Sequence, residues 1–100
     1  MGEYQNLNQC KSFNQTLPAS EVLTALNSQI CSECIIINRS VGDIVLFDND
    51  NIAAENGFLL SSAESVTMRG ITNSNQISAT SLSGGIIYYR SQYYSNNPSR

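Results

Sequence analysis

Apolar residues along this chain fall in short clusters separated by Gly, Asn and Ser, and most clusters carry the two-residue period of a strand. Met1 to Gln9 is rich in Asn and Gln and reads as a polar arm. Cys10 to Leu17 predicts a first strand with Phe13 and Leu17 as its apolar members, ended by Pro18. Ser20 to Asn27 predicts a short helix. Ser20 suits an N-cap, Glu21 the first turn, and Val22, Leu23 and Leu26 one face. A turn plus a strand is the rival reading, because the segment is short for a helix.

From Ile30 onward only strands are predicted. Cys34-Ile35-Ile36-Ile37 and Ile44-Val45-Leu46-Phe47 flank a turn at Ser40 to Asp43, which reads as an antiparallel hairpin. Asp48 to Asn51 and Asn56-Gly57 are turns, and Phe58-Leu59-Leu60 is a short strand. Glu64 to Arg69 alternates with Val66 and Met68 on one face, closed by Gly70. Gln76 to Ser81 alternates with Ile77 and Ala79 inward. Gly84-Gly85 turns the chain into a last strand, Ile86 to Tyr94, which Asn96-Asn97-Pro98 ends.

Six to seven short strands at intervals of roughly ten residues predict an all-β fold. The expected form is a small antiparallel β-sandwich, jelly-roll or immunoglobulin-like. Residues 1–17 form the arm and the first strand, and residues 18–100 the sandwich. Alternation assigns a core of Ile35, Ile37, Val45, Phe47, Leu59, Val66, Met68, Ile77, Ile86 and Tyr88.

Composition narrows the function. The chain has 100 residues, enough for one domain with little margin in its core. Charged residues make up only 13%, about half the usual share, so Asn, Gln, Ser and Thr supply most of the polar surface. Such a surface suits a rigid module packed against neighbours. The net charge is −3, and the five basic residues, Lys11, Arg39, Arg69, Arg90 and Arg100, are scattered. Duplex nucleic acid and anionic membranes are therefore not expected partners. Met1 is followed by Gly2, Glu3 and Tyr4, with neither a basic start nor an apolar segment, so no secretion leader is expected. With three cysteines, an odd number, synthesis in a reducing cytoplasm is the expectation.

Catalytic chemistry finds no foothold. Histidine is absent, which removes the Ser-His-Asp and Cys-His arrangements. The single lysine, Lys11, sits in a polar stretch where nothing would desolvate it into a base. Eight acids are present, but nothing in the pattern pairs two of them across a cleft. Cys31-Ser32-Glu33-Cys34 is a C-x-x-C without the second pair a closed zinc site needs. Cys10 and a carboxylate are the only ways to complete one within the chain. The simpler reading is two unpaired thiols, at least one of them in the core. Asp48-Asn49-Asp50-Asn51 opens like a calcium loop, then fails at Ile52 and Ala53. The expectation is a non-enzyme with no catalytic residue, cofactor or metal.

One cluster remains. Tyr88, Tyr89, Tyr93 and Tyr94 lie in the last strand. With Tyr88 assigned inward, Tyr89 and Tyr93 face out. Tyr89, Tyr93, Tyr94 and Arg90 become the candidate interface, since tyrosine and arginine are enriched where proteins meet.

Three stretches carry a resemblance. CIIINRSVGDIVLFDNDN starts at Cys34, AAENGFLLSSAESVTMRGITNSNQISATS at Ala53, and GGIIYYRSQYYSNNPSR at Gly84. Together they resemble small virion structural proteins of tailed phages, particularly of T4-like cyanophages and other marine phages. Those proteins share the layout of a strand ending in N-x-S, then N-G-F-L-L, then an E-S strand, N-Q-I-S-A, and a closing G-G-x-x-Y-Y-R strand. The resemblance covers roughly the last two-thirds of the chain. Ala63 stands where a turn glycine is expected. It implies a non-enzymatic protein on the virion, assembled in the host cytoplasm and decorating or cementing the capsid exterior. The implied partners are the major capsid protein, other virion proteins, and further copies of itself as a homo-oligomer. A tail or fibre adaptor is one alternative. A carbohydrate-binding module for host attachment, using Tyr89 and Tyr93, is another.

Overall fold

A computed structural model describes residues 3–48 and 57–98, with side chains described for 11–48 and 57–93. The described residues form eight strands: β1 (Glu3–Leu17), β2 (Thr24–Ala25), β3 (Glu33–Asn38), β4 (Ile44–Asp48), β5 (Phe58–Leu60), β6 (Ser65–Arg69), β7 (Ile77–Thr80) and β8 (Gly85–Pro98). They form two four-stranded antiparallel sheets, ordered β1-β8-β3-β6 and β2-β7-β4-β5. Consecutive strands mostly alternate between sheets, which is the double-sheet jelly roll. The all-β expectation holds.

The two sheets bury one core between them. Leu17, Cys34, Ile36, Ile87 and Tyr89 come from the first sheet, and Ile44, Leu46, Leu60, Ile77 and Ala79 from the second. Leu26 joins from the segment after β2. Each fully buried Leu or Ile side chain contributes roughly 1.5–3 kcal/mol. Val66 and Met68 pack against this cluster half-buried, on the side that alternation predicted.

In four strands the predicted parity is inverted. Ile36 is buried while Ile35 and Ile37 are only half-buried. Leu46 and Ile44 take the core from Val45, and Leu60 takes it from Leu59, which is 56% exposed. In β8, Ile87 and Tyr89 are buried, whereas Ile86 and Tyr88 are exposed. Phe47 is buried, but on the opposite side of β4 from Leu46. A one-residue shift exchanges the two faces of a strand. Each of these strands is apolar at adjacent positions, so alternation alone could not choose between them.

Three local expectations are also corrected. Ser20 and Glu21 adopt φ of 73° and 57°, which no right-handed helix tolerates. Their N–H groups donate to Leu82 O and Ser81 O, and the expected helix is an extended connection with the two-residue β2 in it. β3 and β4 lie in different sheets and form no hairpin. β1 begins at Glu3, ahead of the expected Cys10, and pairs with β8 from Glu3↔Pro98 to Leu17↔Gly85 with one irregularity between Leu7 and Gln9. β8 accordingly runs past Tyr94 to Pro98.

Asn38 explains why β3 and β4 part. Its side chain is fully buried and donates to Gly42 O and Leu60 O, both at 2.9 Å, while its Oδ1 accepts the Ser40 N–H at 2.8 Å. Its backbone N–H donates to Glu64 O, and its carbonyl accepts from Ala63 N. Ser40 Oγ in turn accepts from Ile86 N and donates to Ile86 O. The N-x-S end of β3 and the Ala63-Glu64 turn thus meet in one polar corner that carries the chain between sheets. Ala63 has φ of 69°, the left-handed geometry of the glycine expected there.

Candidate interface on the outer face of the first sheet

β8 lies between β1 and β3, so its outward side chains sit mid-sheet. Cross-strand registers set two rows: Ser12, Arg90, Ile35 and Thr67, and next to it Asn14, Tyr88, Ile37 and Ser65. Neighbours across a ladder point to the same face. The face therefore has an apolar centre of Ile35, Ile37 and Tyr88, extended by Ile86, between the exposed polar edges of β1 and β6. Tyr88 and Ile86 are 45% and 42% exposed. A hollow of about 190 Å³ opens here, walled by Ser12, Ile35, Ile37, Tyr88 and Arg90.

Arginine frames this centre. The Arg39 guanidinium stands over the Tyr88 ring, 5.3 Å from its centroid, a cation–π contact. Arg90 is exposed at the wall of the hollow. Arg69, at the β6 edge, bonds Glu33 at 3.3 Å, and the second oxygen of Glu33 accepts from Gln92 at 2.7 Å. Among the described residues, neither Arg39 nor Arg90 has a carboxylate within ion-pairing distance.

The predicted interface residues divide. Arg90 is at the surface. Tyr89 is 2% exposed and belongs to the core. Its ring stacks on Phe13 with centroids 5.1 Å apart, and its hydroxyl accepts the Asn27 N–H at 2.8 Å and donates to Gln15 at 2.7 Å. Burial raises its phenol pKa. Tyr93 is half-buried, and the Tyr94 side chain lies outside the described residues. No platform of Tyr89 and Tyr93 is presented to a sugar. The sequence reading missed Tyr88, Ile35, Ile37 and Arg39. Arg90 itself held the signal for Tyr88, because residues two apart share a face.

Cys31 and Cys34 are both buried and unbonded to each other. Burial pushes the Cys31 thiol up and the Cys34 thiol up to about 12, against a smaller lowering by the Ser91 hydroxyl. The reactive species of cysteine is the thiolate, which these sites disfavour. The Cys10 side chain lies outside the described residues, as do Asn49, Asp50, Asn51 and Glu55; Asp48 is exposed. Among the described residues, no three His, Cys, Asp or Glu side chains are grouped to hold a metal ion. None of the described helical turns is long and apolar enough to cross a membrane.

No family model and no curated protein matches the chain. Solved structures do resemble it. A cupin superfamily protein from Desulfitobacterium hafniense has a TM-score of 0.59 at 5% identity, over 91% of this chain and 77% of that one. A cupin domain from Bordetella pertussis has a TM-score of 0.55 at 11% identity, over 91% and 93%. The cupin domain of an XRE family transcriptional regulator from Enterobacter cloacae has a TM-score of 0.52 at 12% identity, over 95% and 99%. At such identities the likeness is one of fold, and function has to be argued from the site. The chain has the jelly-roll β-barrel architecture of these cupin-like proteins.

Proposed function

We propose that the chain is a non-enzymatic structural module that works by burying the outer face of its first sheet against other proteins of an assembly. The observation that carries this reading is the uncovered apolar centre of Ile35, Ile37, Ile86 and Tyr88. Half-exposed isoleucine and tyrosine beside arginine is the composition of a binding hot spot. The sparse charge and the absence of histidine support a packed, non-catalytic role. The setting comes from the sequence resemblance: a virion protein of a tailed phage, decorating or cementing the capsid exterior through the major capsid protein.

Titration onto capsids stripped of this protein tests the reading. The wild-type chain should bind saturably. A variant carrying Ile37→Ser and Tyr88→Ser should bind at least roughly tenfold more weakly, since each lost anchor costs about 1–2 kcal/mol. Both side chains face outward, so the variant should retain its circular dichroism spectrum. Equal binding by the two proteins refutes the surface.

A further inference from the structure

The charge on this face bears on the chemistry of what would cover it. The chain as a whole carries a net charge of −3, yet three of its five basic residues project from the outer side of one sheet. Glu33 is the carboxylate beside them, and Arg69 and Gln92 already engage it. Arg90 walls the apolar hollow and Arg39 stands over Tyr88, which also walls it, and neither has an anionic neighbour among the described residues. Arg39 is also held in place by its contact with Tyr88, so its guanidinium is pre-oriented.

We infer that this face docks an acidic segment of a different protein, whose apolar side chain fills the hollow between Ile35, Ile37 and Tyr88 while its flanking carboxylates meet Arg39 and Arg90. The inference rests on the reading of this face as an interface and adds the chemistry of what covers it. A bidentate carboxylate suits a guanidinium fork, and a dry apolar centre strengthens the charge pairs around it. A second copy seated face to face is the poorer occupant, because it would set Arg39 and Arg90 against their own equivalents. A polyphosphate strand is poorer still, because an isoleucine and tyrosine centre offers it no neutralising charge.

The test is amide chemical-shift mapping on the full ¹⁵N-labelled chain. Three short synthetic peptides of equal length serve as probes. One has a central Phe flanked by Asp and Glu, one has the same Phe flanked by Lys, and one has Ser in place of Phe in the acidic frame. The acidic Phe peptide should shift the resonances of Ile35, Ile37, Tyr88 and Arg90 saturably at up to millimolar concentration. The other two should bind at least roughly tenfold more weakly. The double variant Arg39→Glu and Arg90→Glu, both exposed positions, should instead prefer the Lys peptide. No shifts, shifts elsewhere, or equal binding of the acidic and Lys peptides overturns the inference. If capsid binding depends on Tyr88 while the acidic peptide is ignored, the partner chemistry falls and the interface reading survives. If the acidic peptide binds while capsid attachment ignores Tyr88, the interface chemistry survives and its use in the assembly falls.

Discussion

Tyr89 and Gln15 are joined across the β8–β1 ladder by a 2.7 Å hydrogen bond from the phenol to Gln15 Oε1. The same hydroxyl accepts the Asn27 N–H at 2.8 Å, and Gln15 also donates to Ala25 O. One buried ring thus ties the first sheet to the segment that leaves β2 of the second. Tyr89→Phe keeps the packing on Phe13 and strands the Asn27 N–H. It should lower unfolding free energy by about 1–2 kcal/mol, or roughly 4–16 °C in Tm. Thermal and urea denaturation check this. Under the proposed function, capsid binding should be unchanged once the variant is folded.

Asn38 is the polar counterpart in the corner between sheets. Asn38→Leu removes three hydrogen bonds at once and leaves Gly42 O and Leu60 O without that donor in a buried setting. The expected loss is about 2–4 kcal/mol. Urea unfolding should show the midpoint falling with little change in slope.

The neighbouring turn allows a change of the opposite sign. Ala63 holds φ of 69°, which costs a residue with a Cβ about 1–2 kcal/mol. Ala63→Gly should stabilise the protein by roughly 0.5 kcal/mol after the entropy cost of glycine. Gly85→Ala should destabilise it, because a Cβ at Gly85 would overlap the Ser40 side chain that bonds Ile86. Paired thermal melts of the two variants decide the signs.

Cys34 predicts a dependence on alkaline pH. Its thiol pKa is raised by burial to about 12 in the folded chain, above the ordinary value of 9.0. The unfolded thiol therefore loses its proton first. Stability from this group is intact below about pH 9 and falls as pH rises from there towards 12. Cys34→Ala should flatten that part of the stability–pH curve. In the native protein at neutral pH, Cys31 and Cys34 should react with a thiol reagent far more slowly than after denaturation, with labelled positions read by mass spectrometry.

The sequence disclosed the strands more readily than their faces. Turn residues such as Gly70 and Gly84, both at positive φ, marked where strands end. Ile77 and Ala79, flanked by polar residues, gave their face correctly. Ile35-Ile36-Ile37 and Ile86-Ile87-Tyr88-Tyr89 did not, because a strand apolar on both sides offers no contrast. The inward position of Asn38 depends on Gly42, Leu60 and Ser40, which no local pattern reveals. The β3–β4 hairpin failed for the same reason: the turn signal was real, but the corner built by Asn38 sends β4 into the other sheet. The candidate interface was legible as a tyrosine-rich strand and misassigned by one residue. Tyr88 and Arg90 share a face, so exposing one exposes the other.

The central claim is that this chain is a component of an assembly and acts by its surface. If the chain is the virion protein proposed above, quantitative mass spectrometry of particles purified from cells that produce it, against the most abundant shell protein as internal standard, addresses it most directly. The account predicts a copy number comparable to that of the shell protein. Absence from the particles would contradict it.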